Sequence, residues 1–119
     1  MDVVTRLIVL HIDYETGSNR CLFDDDGQFP SKTIPDLHQP VQLGSTILEE
    51  YLEIKPDWVS FALIDVEVDK NNTLFIYYTC MVPAIIKNNK GKWINVGDIQ
   101  DGDVKKIVFK AGQETLARL

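Results

Sequence analysis

Apolar and polar positions alternate with different periods along the chain, and the changes of period mark its elements. Val3 to Tyr14 is aliphatic and β-branched and is closed by Glu15-Thr16-Gly17-Ser18-Asn19, which predicts a strand running into a turn. Arg20 to Phe23 returns as a short strand, Asp24-Asp25-Asp26-Gly27 supplies a second turn, and Gln28 to Thr33 reads as a brief extended piece. Pro35 and Pro40 mark an irregular approach to a helix. Proline lacks an N–H donor and holds the preceding residue away from helical angles. The helix is therefore expected to begin at or just after Pro40 and to end near Ile54 or Lys55, before Pro56. At 100° per residue, Leu43, Ile47, Leu48, Tyr51, Leu52 and Ile54 fill one half of it, while Ser45, Thr46, Glu49 and Glu53 fill the other. Glu50 falls where the halves meet.

Beyond the helix the period becomes two. Between Ser60 and Asp69, Ala62, Ile64, Val66 and Val68 are expected on one face, with Asp65, Glu67 and Asp69 on the other, as in a half-buried strand. Thr73 to Val82, after the turn Asp69-Lys70-Asn71-Asn72, is apolar on both faces and reads as a strand covered on both sides. Lys92 to Val96 is a further short strand, Gly97 to Asp101 a turn or single helical turn, and Asp103 a cap for a last helix. The apolar side of that helix uses Val104, Ile107, Val108, Ala111 and Leu116. The outline is an α/β (α+β) fold, a mixed sheet with a helix on each face. At 119 residues, with no internal repeat, one domain over 1–119 is expected.

Charge narrows the partners. The net charge is −6, and 14 Asp/Glu against 5 Lys/Arg in residues 1–86 contrast with 4 against 7 in residues 87–119, so the two segments carry −9 and +3. Broad electrostatic binding to duplex nucleic acid or to an anionic membrane surface is not expected. Cys21 and Cys80 lie in strand-like runs without metal-ligand spacing, as buried thiols of a reducing compartment do. The apolar start is interrupted by Arg6 and has no small-residue cleavage site, and no run reaches membrane-spanning length. The expectation is a soluble, intracellular, cytoplasmic protein.

Candidate chemistry centres on the adjacent carboxylates Glu49 and Glu50. On its own an acidic helix flank is ordinary solvated surface. Asp24, Asp25 and Asp26 before Gly27 read as an acidic hairpin turn, because the later ligands of a calcium loop are missing. His11 reads as a strand residue and His38 as a loop residue. Lys87, Lys90 and Lys92 beside Trp93 read first as a solvated loop, although they have the chemistry to engage phosphate and a base or sugar.

The order of elements, taken with three anchor segments, resembles the Nudix (MutT-like) superfamily over most of the chain. The anchors are Phe29-Pro30-Ser31-Lys32, then Ser45-Thr46-Ile47-Leu48-Glu49-Glu50-Tyr51-Leu52, then Trp93-Ile94-Asn95-Val96-Gly97-Asp98-Ile99. The resemblance implies an α/β/α sandwich and a site in which helix carboxylates gather Mg²⁺ or Mn²⁺ around a diphosphate, polarising phosphorus and acidifying the attacking water. It assigns catalysis and metal binding to Glu49 and Glu50, and ligand contacts to Lys32 and Trp93. The box is degenerate: Thr46 stands where similar proteins carry an acid, Ser45 replaces the signature arginine, Leu52 its closing glycine, and Ser31 and Lys32 the loop glycines. Two functions follow from the resemblance. One is a binding or regulatory module for a nucleotide-type ligand or a protein partner, with little or no hydrolase activity. The other is a divergent Mg²⁺- or Mn²⁺-dependent hydrolase of nucleoside diphosphate-linked substrates.

Overall fold

The first apolar run forms the strand on which the others assemble. A computed structural model describes residues 2–13, 15–34, 40–52, 59–82 and 90–117. Its elements are β1 (Asp2–Ile12), β2 (Asn19–Phe23), β3 (Ser31–Thr33), α1 (Pro40–Leu52), β4 (Ala62–Val68), β5 (Thr73–Met81), β6 (Lys92–Asn95), a 3-10 turn (Val96–Asp98) and α2 (Gly102–Ala117). The strands make one mixed sheet in the order β4-β5-β1-β2-β6. β1 runs parallel to β5 from Asp2 to Leu10, and along its other side it pairs antiparallel with β3 at Val4 to Arg6 and with β2 at Leu10 to Ile12.

Because side chains of a strand alternate between faces, β1 feeds two cores at once. Leu7 and Val9 join Leu22, Cys80, Val82 and the buried α1 residues Ile47, Leu48, Tyr51 and Leu52 on one face. Ile8 and Leu10 join Cys21, Phe23, Phe29, Tyr77 and the α2 residues Val108 and Ala111 on the other. The expected mixed sheet with a helix on each face is the observed architecture. Each fully buried aliphatic side chain stabilises the fold by about 1.5–3 kcal/mol. Cys21 and Cys80 are free thiols, one in each core, and burial raises both well above the ordinary thiol range.

The turns follow local chemistry. Asp24 Oδ1 accepts the N–H groups of Asp26 and Gln28 at 2.9 Å each, and Gly27 takes φ +79°, so the triple aspartate is a hairpin turn. Asp69 Oδ1 likewise accepts from Asn71 and Thr73.

Three expectations are corrected. β4 carries a bulge between Leu63 and Asp65, so Ile64 and Asp65 both lie toward α2 and the strict alternation breaks. Ala62 and Ile64 are buried, but Val66 and Val68 turn to the other face with Leu63 and are exposed. Asp101, not Asp103, caps α2, its Oδ1 accepting the N–H groups of Asp103 at 2.9 Å and Val104 at 3.2 Å. Leu116 is exposed, and Thr115 takes the buried place with its hydroxyl donated to the Ala111 carbonyl at 2.9 Å. The expected helix end near Ile54 and Lys55, together with Pro35 and His38, lies outside the described residues.

Ile47→Ala, which opens a void between α1 and the sheet, is expected to cost about 2–5 kcal/mol in urea unfolding. Val68→Ala on the exposed face of β4 is expected to stay within about 0.5 kcal/mol in the same measurement.

Candidate functional site

The α1 residues Leu43, Ile47, Leu48, Tyr51 and Leu52 are buried, and that packing sets the angular position of the two glutamates. Glu49 is exposed. Glu50, at the border, meets two lysines from elsewhere in the chain. Lys32 Nζ lies 2.8 Å from Glu50 Oε2, and Lys90 Nζ donates to Glu50 Oε1. Lys32 stands on β3, opposite Thr5 of β1. Lys90 precedes β6 and also lies 4.8 Å from the centre of the Tyr51 ring, a cation-π distance. The neighbouring Gly91 has φ +83°, and a Cβ there would stand 2.5 Å from the Phe23 carbonyl oxygen. Only glycine fits that approach.

The hydrogen bond from Lys32, then that from Lys90, hold the Glu50 carboxyl below its ordinary range, and Glu50 in return raises the Lys90 ammonium. Thr46, one helical turn before Glu50, donates its hydroxyl to the Gln42 carbonyl at 3.2 Å. Among the described residues no three His, Cys, Asp or Glu side chains stand close enough together to hold a metal ion. As arranged, these side chains do not form a divalent-cation cradle: the Glu50 carboxylate faces two ammoniums, and the side chain one turn away is a hydroxyl turned to its own helix. Trp93 on β6 is half-buried against the α1-side core, opposite Leu22. Lys87 lies outside the described residues.

A second group of polar side chains lies on the opposite face, under the start of α2. Arg6, Phe29, Glu67, Tyr77, Asp101 and Asp103 line a cleft of about 200 Å³. Arg6 Nη1 donates to Tyr77 Oη at 2.8 Å, and the Tyr77 hydroxyl donates to Glu67 Oε2 at 3.1 Å. The guanidinium carbon sits 4.0 Å from the centre of the Phe75 ring. Phe29 stacks on Phe23 with centroids 5.3 Å apart and meets Tyr77 edge-on at 6.3 Å. Burial is the main cause that raises the Tyr77 phenol, with Arg6 opposing it. The two groups of residues meet at one turn. Phe29 lines the cleft, and three residues later Lys32 reaches Glu50, the intervening Pro30 carbonyl being fixed by the Leu7 N–H at 2.9 Å.

The sequence pointed to Glu49, Glu50, Lys32 and Trp93; the structure joins Glu50 to Lys32, adds Lys90, and keeps Trp93 in the packing around the core. Arg6, Tyr77 and Asp101 were not among the residues singled out, and Glu67 was read as part of the acidic face of its strand. Arg6 carried a readable signal, a lone cation in an otherwise apolar run with the composition of a buried strand.

Linkage sets the pH window of the ion pairs. Glu50, lowered, contributes stability that is fully present above its ordinary pKa of 4.5 and is lost as pH falls through the folded value. Lys90, raised, contributes below its ordinary 10.5 and loses that as pH rises through its folded value. Both side chains are exposed enough for solvent to screen them, so Glu50→Gln is expected to cost about 1 kcal/mol or less at neutral pH. In urea titrations the difference from the parent chain should shrink with added salt and vanish below the folded carboxyl's pKa.

Neither a family model nor a curated protein sequence matches the chain. Solved structures do. A Caenorhabditis elegans Ap4A hydrolase binary complex is similar over 100% of both chains at 11% identity, with a TM-score of 0.73. A mutT/nudix family protein from Listeria innocua is similar over 99% of this chain and 98% of its own, at 11% identity and a TM-score of 0.74. The NUDIX domain of Shewanella oneidensis NrtR, crystallised with ADP ribose, is similar over 94% of this chain and 86% of its own, at 12% identity and a TM-score of 0.65. Identities this low speak for the path of the backbone rather than for the chemistry of the side chains, and that path, a mixed sheet between two helices followed along nearly the whole chain, is the Nudix fold.

Proposed function

We propose that the chain is a Nudix-fold binding module with little or no hydrolase activity, and that it holds a nucleotide-type ligand in the cleft beneath α2. The carrying observation is the pairing of Glu50 with Lys32 and Lys90, which commits the best-placed carboxylate to side chains of its own chain. Thr46 and the exposed Glu49 leave the helix without a convergent set of acids.

The cleft, about 200 Å³, carries groups suited to contacting one moiety of a nucleotide. Phe29 and Tyr77 give it an apolar, largely buried lining. Arg6 presents N–H donors beyond the one given to Tyr77, while Glu67, Asp101 and Asp103 accept from ring or amino N–H groups. The similar NrtR domain binds ADP ribose, which makes ADP ribose and ADP suitable first probes.

Titration calorimetry of the intact chain with ADP ribose or ADP should give saturable binding that persists in EDTA. Arg6→Ala should weaken it about tenfold or more, the effect of removing a charged hydrogen bond. A parallel assay for products in Mg²⁺ or Mn²⁺ should show no sustained turnover. Rapid metal-dependent hydrolysis that Glu50→Gln abolishes would establish the hydrolase reading instead, and no binding at millimolar ligand would overturn the proposed cleft.

A further inference from the structure

β4 is the edge of the sheet and pairs, among the described residues, only with β5. Edge strands present unpaired N–H and C=O groups, and proteins commonly guard them with charge on the open face. Here the bulge reverses that provision. It sends Asp65 and Glu67 to the α2 side, beside Tyr77 and Phe75, and leaves Leu63, Val66 and Val68 exposed on the α1 side of the sheet. Those three are 54%, 50% and 53% exposed, and they account for three of the five large apolar side chains exposed among the described residues. A fourth, Phe109 of α2, lies with Asp65, Glu67 and Lys110 along the groove on the other side of the strand.

We propose that β4 is a docking edge for an extended segment of another protein, one in which apolar and basic residues alternate. Such a segment adds as a further strand, its apolar side chains against Leu63, Val66 and Val68 and its basic ones beside Asp65 and Glu67. Charge is what selects this occupant over a second copy of the chain. Antiparallel pairing that sets Val66 against its own copy also sets Asp65 against Glu67 twice, and like charges directly opposite are destabilising. Parallel pairing in register sets each acid against itself. A slip of one residue turns the apolar face of one strand onto the acidic face of the other.

The groups already near the acids offset them only in part: Lys106 and Lys110 share the groove with Asp65, Glu67 and Asp103, and the Tyr77 hydroxyl donates to Glu67. Lys110 Nζ stands 3.9 Å from Asp65 Oδ2, a long and exposed pair of little worth. Asp65 Oδ1 also accepts the Val66 N–H at 2.8 Å, so one backbone donor is held by a side chain until a basic residue draws the carboxylate away. The overall charge of −6 favours encounter with a basic partner. This inference shares Glu67 with the cleft but needs no bound nucleotide, since it rests on the sheet edge and is tested at Asp65.

The test uses the ¹⁵N-labelled intact chain and two capped hexapeptides, one alternating lysine and valine, the other glutamate and valine. The lysine peptide should produce saturable amide shifts concentrated in residues 63–68, and the glutamate peptide none. Asp65→Lys should weaken the lysine peptide about fivefold, the scale of one cross-strand charge pair, and should admit the glutamate peptide. The amide spectrum itself reports whether the variant is folded, and Asp65→Asn carries the same comparison if it is not. Equal responses to both peptides, no shifts in residues 63–68 at millimolar peptide, or an unchanged response in the folded variant would overturn the proposal. So would sedimentation showing a dimer that Val66→Lys abolishes, because that would give the face to a second copy.

Discussion

The structure depends on β1 having no face to spare. Its alternate residues enter two separate cores, so a slip of one position would exchange the whole of one set for the other. Leu7 and Val9 face α1, and Ile8 and Leu10 face α2. The strand is also paired along both sides, with β5 on one and with β3 and β2 on the other. Parallel pairing with β5 forces the chain to travel out and back across the sheet before the second strand is laid down. α1 lies in that passage and covers the face it crosses. The position of Glu50 is therefore a consequence of the pattern in β1, transmitted through Ile47, Leu48 and Tyr51, as much as of the helix that carries it.

What could be read from the chain divides by the range of the physics involved. The faces of α1, the aspartate turn and the run of strands rest on local periodicity and local hydrogen bonding, so Leu43 to Leu52 and Asp24 to Gln28 could be placed from sequence. The β4 bulge could not, because alternation at Ala62, Ile64, Val66 and Val68 looks continuous in sequence and is broken only by pairing with β5. The cap of α2 differed by two residues for a similar reason: Asp101 and Asp103 have the same chemistry, and only backbone geometry chooses between them. The partners of Glu50 depend on contacts across the fold. Lys90 is 40 residues away in sequence, and nothing in its own neighbourhood announces its reach to α1.

The meaning of a carboxylate in this fold is set by what answers its charge. Glu50 lies on the border of α1, but the cations that reach it are ammoniums on the chain itself, one from β3 and one from the segment before β6. Each such pair, exposed to water, contributes little to stability. Their significance is geometric: two lysines occupy the two carboxylate oxygens and tie three separate segments together beside the turn that also forms the cleft. The network is dispersed in sequence but local in space. The cleft is built the same way, with Arg6 from β1, Glu67 from β4, Tyr77 from β5 and Asp101 from the cap of α2. Asp101 serves both structures at once, since the carboxylate that accepts the first N–H groups of α2 belongs to a residue that lines the cleft.

One inserted residue in β4 then decides what the molecule shows to its surroundings. Without the bulge, Val66 and Val68 would continue on the face of Ala62 and Ile64, toward α2, and the acids would turn outward, the usual protection of an exposed edge. With it, Ile64 keeps its buried place while the remainder of the strand is turned over. The fold leaves two valines on an exposed face. It gains an acceptor beside the cleft, because the same inversion carries Glu67 to the Tyr77 hydroxyl. The outward apolar face and the polar wall of the cleft are therefore two sides of one backbone irregularity, and a change that removed the bulge would alter both together.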